Sequence, residues 1–225
     1  MNKLGTESAF EVLARAQKLT QEGKNIINLG IGQPDFKTPA HIVEAGIKAL
    51  KDGHHGYTPA NGIPELREAI ASDLKLRHQV HVKSSSIVVV PGGKPTMFFS
   101  ILMFGGPGSE IIYPDPGFPI YSSLINYTRS TGVAVQMREK NSFSFNADDI
   151  LEKVNSNTKL IIVNSPANPT GGVTSKVELD KFVKEIVKHP TIAILSDEIY
   201  SHMTYDKTPF TSLLRYPEVE DQLIM

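Results

Sequence analysis

The chain has 225 residues, enough for one sizeable core or a domain and a half, and its 23 Lys and Arg nearly balance its 24 Asp and Glu. That balance supplies no long-range field for nucleic acid or a membrane surface, so recognition must rest on local chemistry. The absence of cysteine excludes disulfides, thiolate metal sites and a cysteine nucleophile.

The first ten residues, M-N-K-L-G-T-E-S-A-F, lack the apolar core of a signal peptide, and no stretch approaches the roughly 18 apolar residues of a membrane span. A soluble, cytoplasmic protein is expected. Residues 1–25 carry a helical pattern through Phe10, Leu13, Ala14 and Leu19 that breaks at Gly23. I-I-N-L-G-I-G-Q-P-D-F then reads as a short strand entering a Gly/Pro turn. Thr38 can cap the next helix with Pro39 at its first position, Val43, Ile47 and Leu50 mark the expected buried stripe, and Gly53 ends it. The segment G-Y-T-P-A-N-G-I-P-E-L-R is too rich in Gly and Pro to be regular, and a long loop in a compact domain often has a function. It leads into a helix with Leu66, Ile70 and Leu74 on one face.

From residue 86 strands and helices alternate. Strands fit Ile87–Val90, Glu110–Tyr113, Val133–Arg138, Leu160–Val163 and Ile192–Leu195, with a last one at Leu223–Met225. The helix before Ile192 is well signed: Ser175 with Glu178 forms a capping box, Leu179, Phe182, Val183, Ile186 and Val187 make the apolar face, and Pro190 lies past the end. The alternation predicts an α/β fold, a three-layer α/β/α arrangement around a mainly parallel sheet.

Four of these strands end in unusual chemistry: P-G-G-K-P-T after Val90, P-D-P-G-F-P after Tyr113, N-S-P-A-N-P-T-G-G after Val163 and S-D-E-I-Y after Leu195. In a parallel sheet all four lie along one edge, where ligands bind in open α/β folds. Asp197, at a buried strand end, is either a ligand contact or a cap of the following turn. Gly92, Gly93 and Lys94 open a helix whose free amides and dipole favour a phosphate, or they form a tight strand-to-helix turn. Pro95 stands where a Walker loop needs Ser or Thr, which disfavours a nucleoside triphosphate. Phe118 can stack on a planar ring or join the core, and Asn168 can turn its amide inward or serve its own Asn-Pro turn. His78 and His81 lack carboxylates at metal-site spacing and read as a solvated face, so no metal is assigned.

The ordered motifs G-I-G-Q-P-D-F, G-Y-T-P-A-N-G-I-P-E-L-R, P-G-G-K-P-T, N-S-P-A-N-P-T-G-G and S-D-E-I-Y resemble the class I/II aminotransferases, the aspartate aminotransferase-like group of pyridoxal 5'-phosphate enzymes. The resemblance runs essentially end to end. It implies that Asp197 binds the pyridine nitrogen of the cofactor and keeps it protonated, which makes the ring an electron sink. It further implies that Tyr200 and Asn168 hydrogen-bond the ring hydroxyl oxygen, that Phe118 stacks on the ring and that Gly92, Gly93 and Lys94 bind the phosphate. Gly32 and Asn168 would meet the substrate carboxylate, and Tyr57 would reach the phosphate of the partner subunit in a homodimer. Residues 1–36 would belong to a small domain and residues 37–225 to the large cofactor-binding domain.

The family's Schiff-base lysine, in a motif resembling S-K-x-x-x-M-x-G-x-R, belongs just beyond Met225, and none of the 23 basic residues stands in a matching context. No catalytic residue is therefore assigned within the chain. The resemblance implies a fragment, inactive alone, of an enzyme that moves an amino group from an amino acid to a 2-oxo acid. Such a fragment is expected to expose the strand edge at Ile87–Val90. The alternatives are a carbon–sulfur lyase of the same fold and a non-catalytic module that binds pyridoxal phosphate; neither a nucleic acid nor a membrane is an expected partner.

Overall fold

The computed structural model describes residues 8–225, with the side chains of residues 8 and 9 left aside. The first seven residues of the expected N-terminal helix lie outside that range. The chain forms two compact units, one ending at Ile63 and one running from Pro64 to Met225.

The first unit contains α1 (Ser8–Gln21) and α2 (Ala40–Lys51). Gly23, at φ +84°, follows the end of α1. The helix α2 begins one residue later than expected: Pro39 is its N-cap and no side chain caps it, Thr38 included. The short strand expected to open residues 26–36, before the Gly/Pro turn, is absent. Ile27 and Leu29 are exposed there, because a β-ladder needs a second strand and the described residues of this unit supply none. For the same reason the stripe Val43, Ile47 and Leu50 stays exposed; its periodicity marks a face suited to burial, but no residue of α2 is buried.

The second unit holds α3 (Pro64–His78), α4 (Lys94–Phe104), β1 (Glu110–Asp115), α5 (Ile120–Thr128), β2 (Thr131–Gln136), α6 (Ala147–Leu151), β3 (Thr158–Asn164), α7 (Lys176–Ile186), β4 (Ala193–Asp197) and β5 (Leu223–Ile224). The five strands form one sheet in the order β2-β1-β3-β4-β5, every pair parallel. Ile87–Val90, expected as a strand, is irregular and joins no ladder. Its apolar β-branched residues suit a strand, but strand formation requires a hydrogen-bonded neighbour that the sheet does not offer them.

Side chains alternate between the two faces of the sheet and build two cores. Ile112, Ile161, Val163 and Ile194 pack with α6 and α7 through Ala147, Ile150, Leu179 and Phe182. Ile111, Leu160, Ile162 and Leu195 pack with α4 and α5 through Met97, Ile101, Tyr121 and Ile125. Helices thus cover both faces, which gives the three-layer arrangement. Strands buried on both sides need continuous apolar runs, and L-I-I-V in β3 and A-I-L in β4 are such runs. Each fully buried aliphatic side chain contributes up to about 1.5–3 kcal/mol against an extended unfolded chain.

The capping box before α7 forms in one direction only. Ser175 Oγ accepts the Glu178 amide at 3.3 Å, but Glu178 Oε2 accepts the Ala147 amide at 2.7 Å. The acidic residue of the box therefore also caps α6, joining the two helices of that layer.

Candidate functional site

The site begins with the register of β3 and β4, which sets Asn164 beside Asp197 at the carboxyl ends of the two strands. The Asn164 side-chain amide donates to the Asp197 carbonyl at 2.9 Å, and the Ser165 amide donates to the same oxygen at 3.3 Å. Asn164 Oδ1 in turn accepts the Asn168 amide at 2.8 Å. Two strand ends and the following loop are thereby tied into one unit that presents Asp197 and Asn168 together. The Asp115–Pro116, Ser165–Pro166 and Asn168–Pro169 peptide bonds are cis.

The Asp197 carboxylate is held from behind. Tyr121, in the first turn of α5, donates its hydroxyl to Oδ2 at 2.5 Å, while the Ile199 amide reaches Oδ1 only at 3.4 Å. Burial, and then the Asp197 carboxylate, push the Tyr121 phenol far above its ordinary value, so it remains a donor. Asp197 receives the amide of the turn after β4 and also lines the cavity.

Glu198, the next residue, also lines the cavity but is held by different partners. Its Oε1 accepts Ser196 Oγ at 2.8 Å and the Leu213 amide at 3.0 Å. Burial raises this carboxyl above its ordinary value against hydrogen bonds from Ser212, Leu213 and Ser196, and neighbouring Asp197 raises it further.

In front of Asp197 lies a cavity of about 470 Å³, whose wall includes Gly93, Lys94, Phe118, Asn168, Asp197 and Tyr200. Its volume suits a small organic molecule. Gly93 is the N-cap of α4, and Gly92, at φ +84°, makes the turn before it. A Cβ would meet nothing within 4 Å at Gly92 and only Met97 Cε, at 3.9 Å, at Gly93. Open space thus lies over the first amides of a helix, which have no intrahelical acceptor and sit at the positive end of its dipole. Phe118 is half-buried, stands edge-on to Tyr121 with centroids 6.0 Å apart, and packs on the core while lining the cavity. A helix N-terminus, an aromatic wall and a carboxylate on one cavity fit a flat, phosphorylated, nitrogen-containing ring.

Of the residues singled out by sequence, Gly93, Lys94, Phe118, Asn168, Asp197 and Tyr200 share this cavity, with Gly92 adjoining it. Gly32 and Tyr57 belong to the other unit, where Gly32 has open space around it and Tyr57 is fully exposed. P-G-G-K-P-T, expected to follow a strand, follows none but still reaches the cavity through the start of α4.

Sequence reasoning missed Tyr121, Asn164 and Glu198. A tyrosine three residues after Phe118 on the first helical turn, within an apolar helix, is a buried hydroxyl in need of an acceptor, and that signal was available. It also missed the far wall, where Arg77 pairs with Asp73 at 2.6 Å and contacts His202. His78 ends α3 and His81 lies beyond it, so the two do not share a helix face. Burial, and then the neighbouring His202, Arg215 and Arg77, hold His78 below its ordinary value, against Asp73. Among the described residues no group of three or more His, Asp or Glu could hold a metal ion. No described helix is long and apolar enough to cross a membrane.

Comparison with known proteins places these features in a lineage. The family model for aminotransferase class I and II matches residues 24–224. The aspartate aminotransferase of Sulfurisphaera tokodaii is 38% identical over 227 residues, covering 99% of this chain and 56% of that protein. A probable aspartate/prephenate aminotransferase of Aquifex aeolicus is 39% identical, covering 94% of this chain and 54% of its own length. The chain thus spans about half the length of the curated relatives it matches. The solved structure of Thermus thermophilus aspartate aminotransferase with maleate superposes with a TM-score of 0.90 at 32% identity, covering 95% of this chain and 56% of that one. A match extending over nearly the whole chain, in sequence and in fold, shows that it belongs to the class I and II aminotransferase family.

Proposed function

We propose that this chain holds pyridoxal 5'-phosphate as part of an aminotransferase that moves an amino group from an amino acid to a 2-oxo acid. The observation that carries the reading is the buried anchoring of Asp197 on a cavity that also carries Phe118, Asn168, Tyr200 and the start of α4. When bound, the cofactor supplies an electron sink for charge developing on the substrate. Asp197 would accept the proton-bearing ring nitrogen and keep that proton in place. Tyr200 and Asn168 would bond the ring hydroxyl oxygen, Phe118 would cover the ring, and the amides after Gly92 would take the phosphate.

Asn168 and the Gly32 backbone would orient the substrate carboxylate. Tyr57, with its ring fully exposed, would serve the phosphate site of a partner subunit in a two-fold homodimer. Residues 1–36 would belong to the small domain and residues 37–225 to the large one, in a cytoplasmic enzyme. None of the chain's lysines is assigned as the Schiff-base lysine. The names of the relatives, aspartate and aspartate/prephenate aminotransferases, support dicarboxylic substrates, as does the maleate of the Thermus structure.

The test uses pyridoxine 5'-phosphate, the alcohol, which cannot condense with surface lysines. Equilibrium dialysis should detect binding to the chain and a loss of tenfold or more in Asp197→Ala, since a charge-assisted hydrogen bond is removed. No binding, or equal binding by both proteins, would overturn the proposal.

A further inference from the structure

We propose that Tyr121 is a positioning residue for the cofactor's ring nitrogen: by holding Oδ2 of Asp197 it fixes the carboxylate plane and leaves Oδ1 to the ligand. The inference rests on the cofactor reading above and deepens it. Tyr121 is fully buried and does not line the cavity, so it acts on a ligand only through the wall residues it touches, Asp197 by its hydroxyl and Phe118 by its ring.

Three observations carry it. The 2.5 Å contact to Oδ2 has the length of a charge-assisted O–H···O bond, whereas the Ile199 amide reaches Oδ1 at 3.4 Å. One oxygen of the carboxylate is thus committed and the other is weakly held. The tyrosine ring is itself immobilised, edge-on to Phe118 and packed with Ile111, Leu124 and Leu195, so the hydroxyl is aimed by the core rather than by solvent. Finally, the Asp197 backbone is fixed independently by Asn164 and Ser165, so side-chain rotation is the freedom that remains for Tyr121 to remove. A buried phenol that stays protonated can only donate here, which keeps Oδ2 an acceptor.

A buried tyrosine that merely satisfies its hydroxyl on the nearest acceptor would leave the same hydrogen bond, so the test must separate packing from positioning. Two probes do this: pyridoxine 5'-phosphate and its analogue with carbon in place of the ring nitrogen. The wild-type chain should bind the first more tightly. In Tyr121→Phe that preference should fall about tenfold, with affinity for the carbon analogue little changed. If Tyr121→Phe weakens both probes equally and the preference survives, the positioning role is overturned.

If the wild type binds neither probe, or both alike, the assignment of Asp197 to a ring nitrogen is wrong, and this inference falls with it. Should Tyr121→Phe fail to fold, replacement of Tyr121 by 4-fluorophenylalanine fills the hydroxyl's space without a donor and should show the same fall. Replacement by 4-aminophenylalanine returns an N–H donor and should restore the preference; failure to restore it would also overturn the proposal.

Discussion

Gly172 sits where the loop after β3 passes against the backbone at Phe143. A Cβ on Gly172 would lie 2.3 Å from the Phe143 carbonyl oxygen, 2.6 Å from its carbon and 2.8 Å from the Ser144 nitrogen. The first of these is more than 1 Å short of the 3.4 Å at which ordinary contact begins. Neither side yields easily. The Phe143 amide is bonded to Arg138 at 3.0 Å, and the Gly172 carbonyl accepts the Ala167 amide at 2.9 Å, closing the loop that carries Asn168. Gly172→Ala must therefore displace one backbone segment by about 1 Å, at a cost of about 1–3 kcal/mol by the scale of overpacking. Because Ala167 precedes Asn168, the shift should also weaken pyridoxine 5'-phosphate binding. Gly171→Ala is the control: its φ of +76° is strained for alanine, but nothing lies within 4 Å. It should cost about 1 kcal/mol. Urea unfolding with linear extrapolation measures both. A Gly172→Ala protein as stable as wild type, or more stable than Gly171→Ala, would refute the reasoning.

Other outcomes follow from the buried groups around β4. The Glu198 carboxyl is raised above its ordinary 4.5, so the folded state holds its proton more tightly than the unfolded state. Its contribution to stability is fully present below pH 4.5 and is lost as pH rises through the raised value. Glu198→Gln cannot ionise and keeps an acceptor for Ser196 and Leu213, so its stability should fall less between pH 4.5 and 7; wild-type and variant curves that run parallel would contradict this. Phe182→Ala removes a fully buried ring that stands edge-on to Phe145 with centroids 5.4 Å apart. It should destabilise the Pro64–Met225 unit by about 3–5 kcal/mol in the same urea assay, and a loss below 1 kcal/mol would mean that the cavity collapses.

Much of this arrangement was legible in the sequence because the informative features are local. Five of the expected strands end within two residues of their observed positions, chiefly because they are apolar runs stopped by Gly, Pro or charge. The α7 face was readable because its helical periodicity coincides with burial. Where the sequence misled, the missing information was relational. Ile87–Val90 and residues 26–36 have strand-like composition, but a strand exists only where a neighbour pairs with it. The α2 stripe has the periodicity of a buried face, and periodicity does not say what covers it.

The site divides in the same way. Gly93, Phe118, Asn168 and Asp197 were visible because their motifs sit where strands stop or helices start, positions whose chemistry is dictated by the backbone. Tyr121 and Asn164 were not, since their importance lies in contacts with Asp197 from 76 and 33 residues away. Glu198 sat inside a recognised motif, and only its burial and its bonds to Ser196 and Leu213 separate its role from that of its neighbour.

The central claim is that the cavity before Asp197 takes pyridoxal phosphate, and a crystal structure of the chain grown with pyridoxine 5'-phosphate tests it most directly. The expected result is the ring between Phe118 and the end of β4, its nitrogen on Asp197 and its phosphate at the start of α4. Electron density for the ligand at any other place, with this cavity filled only by water, would contradict it.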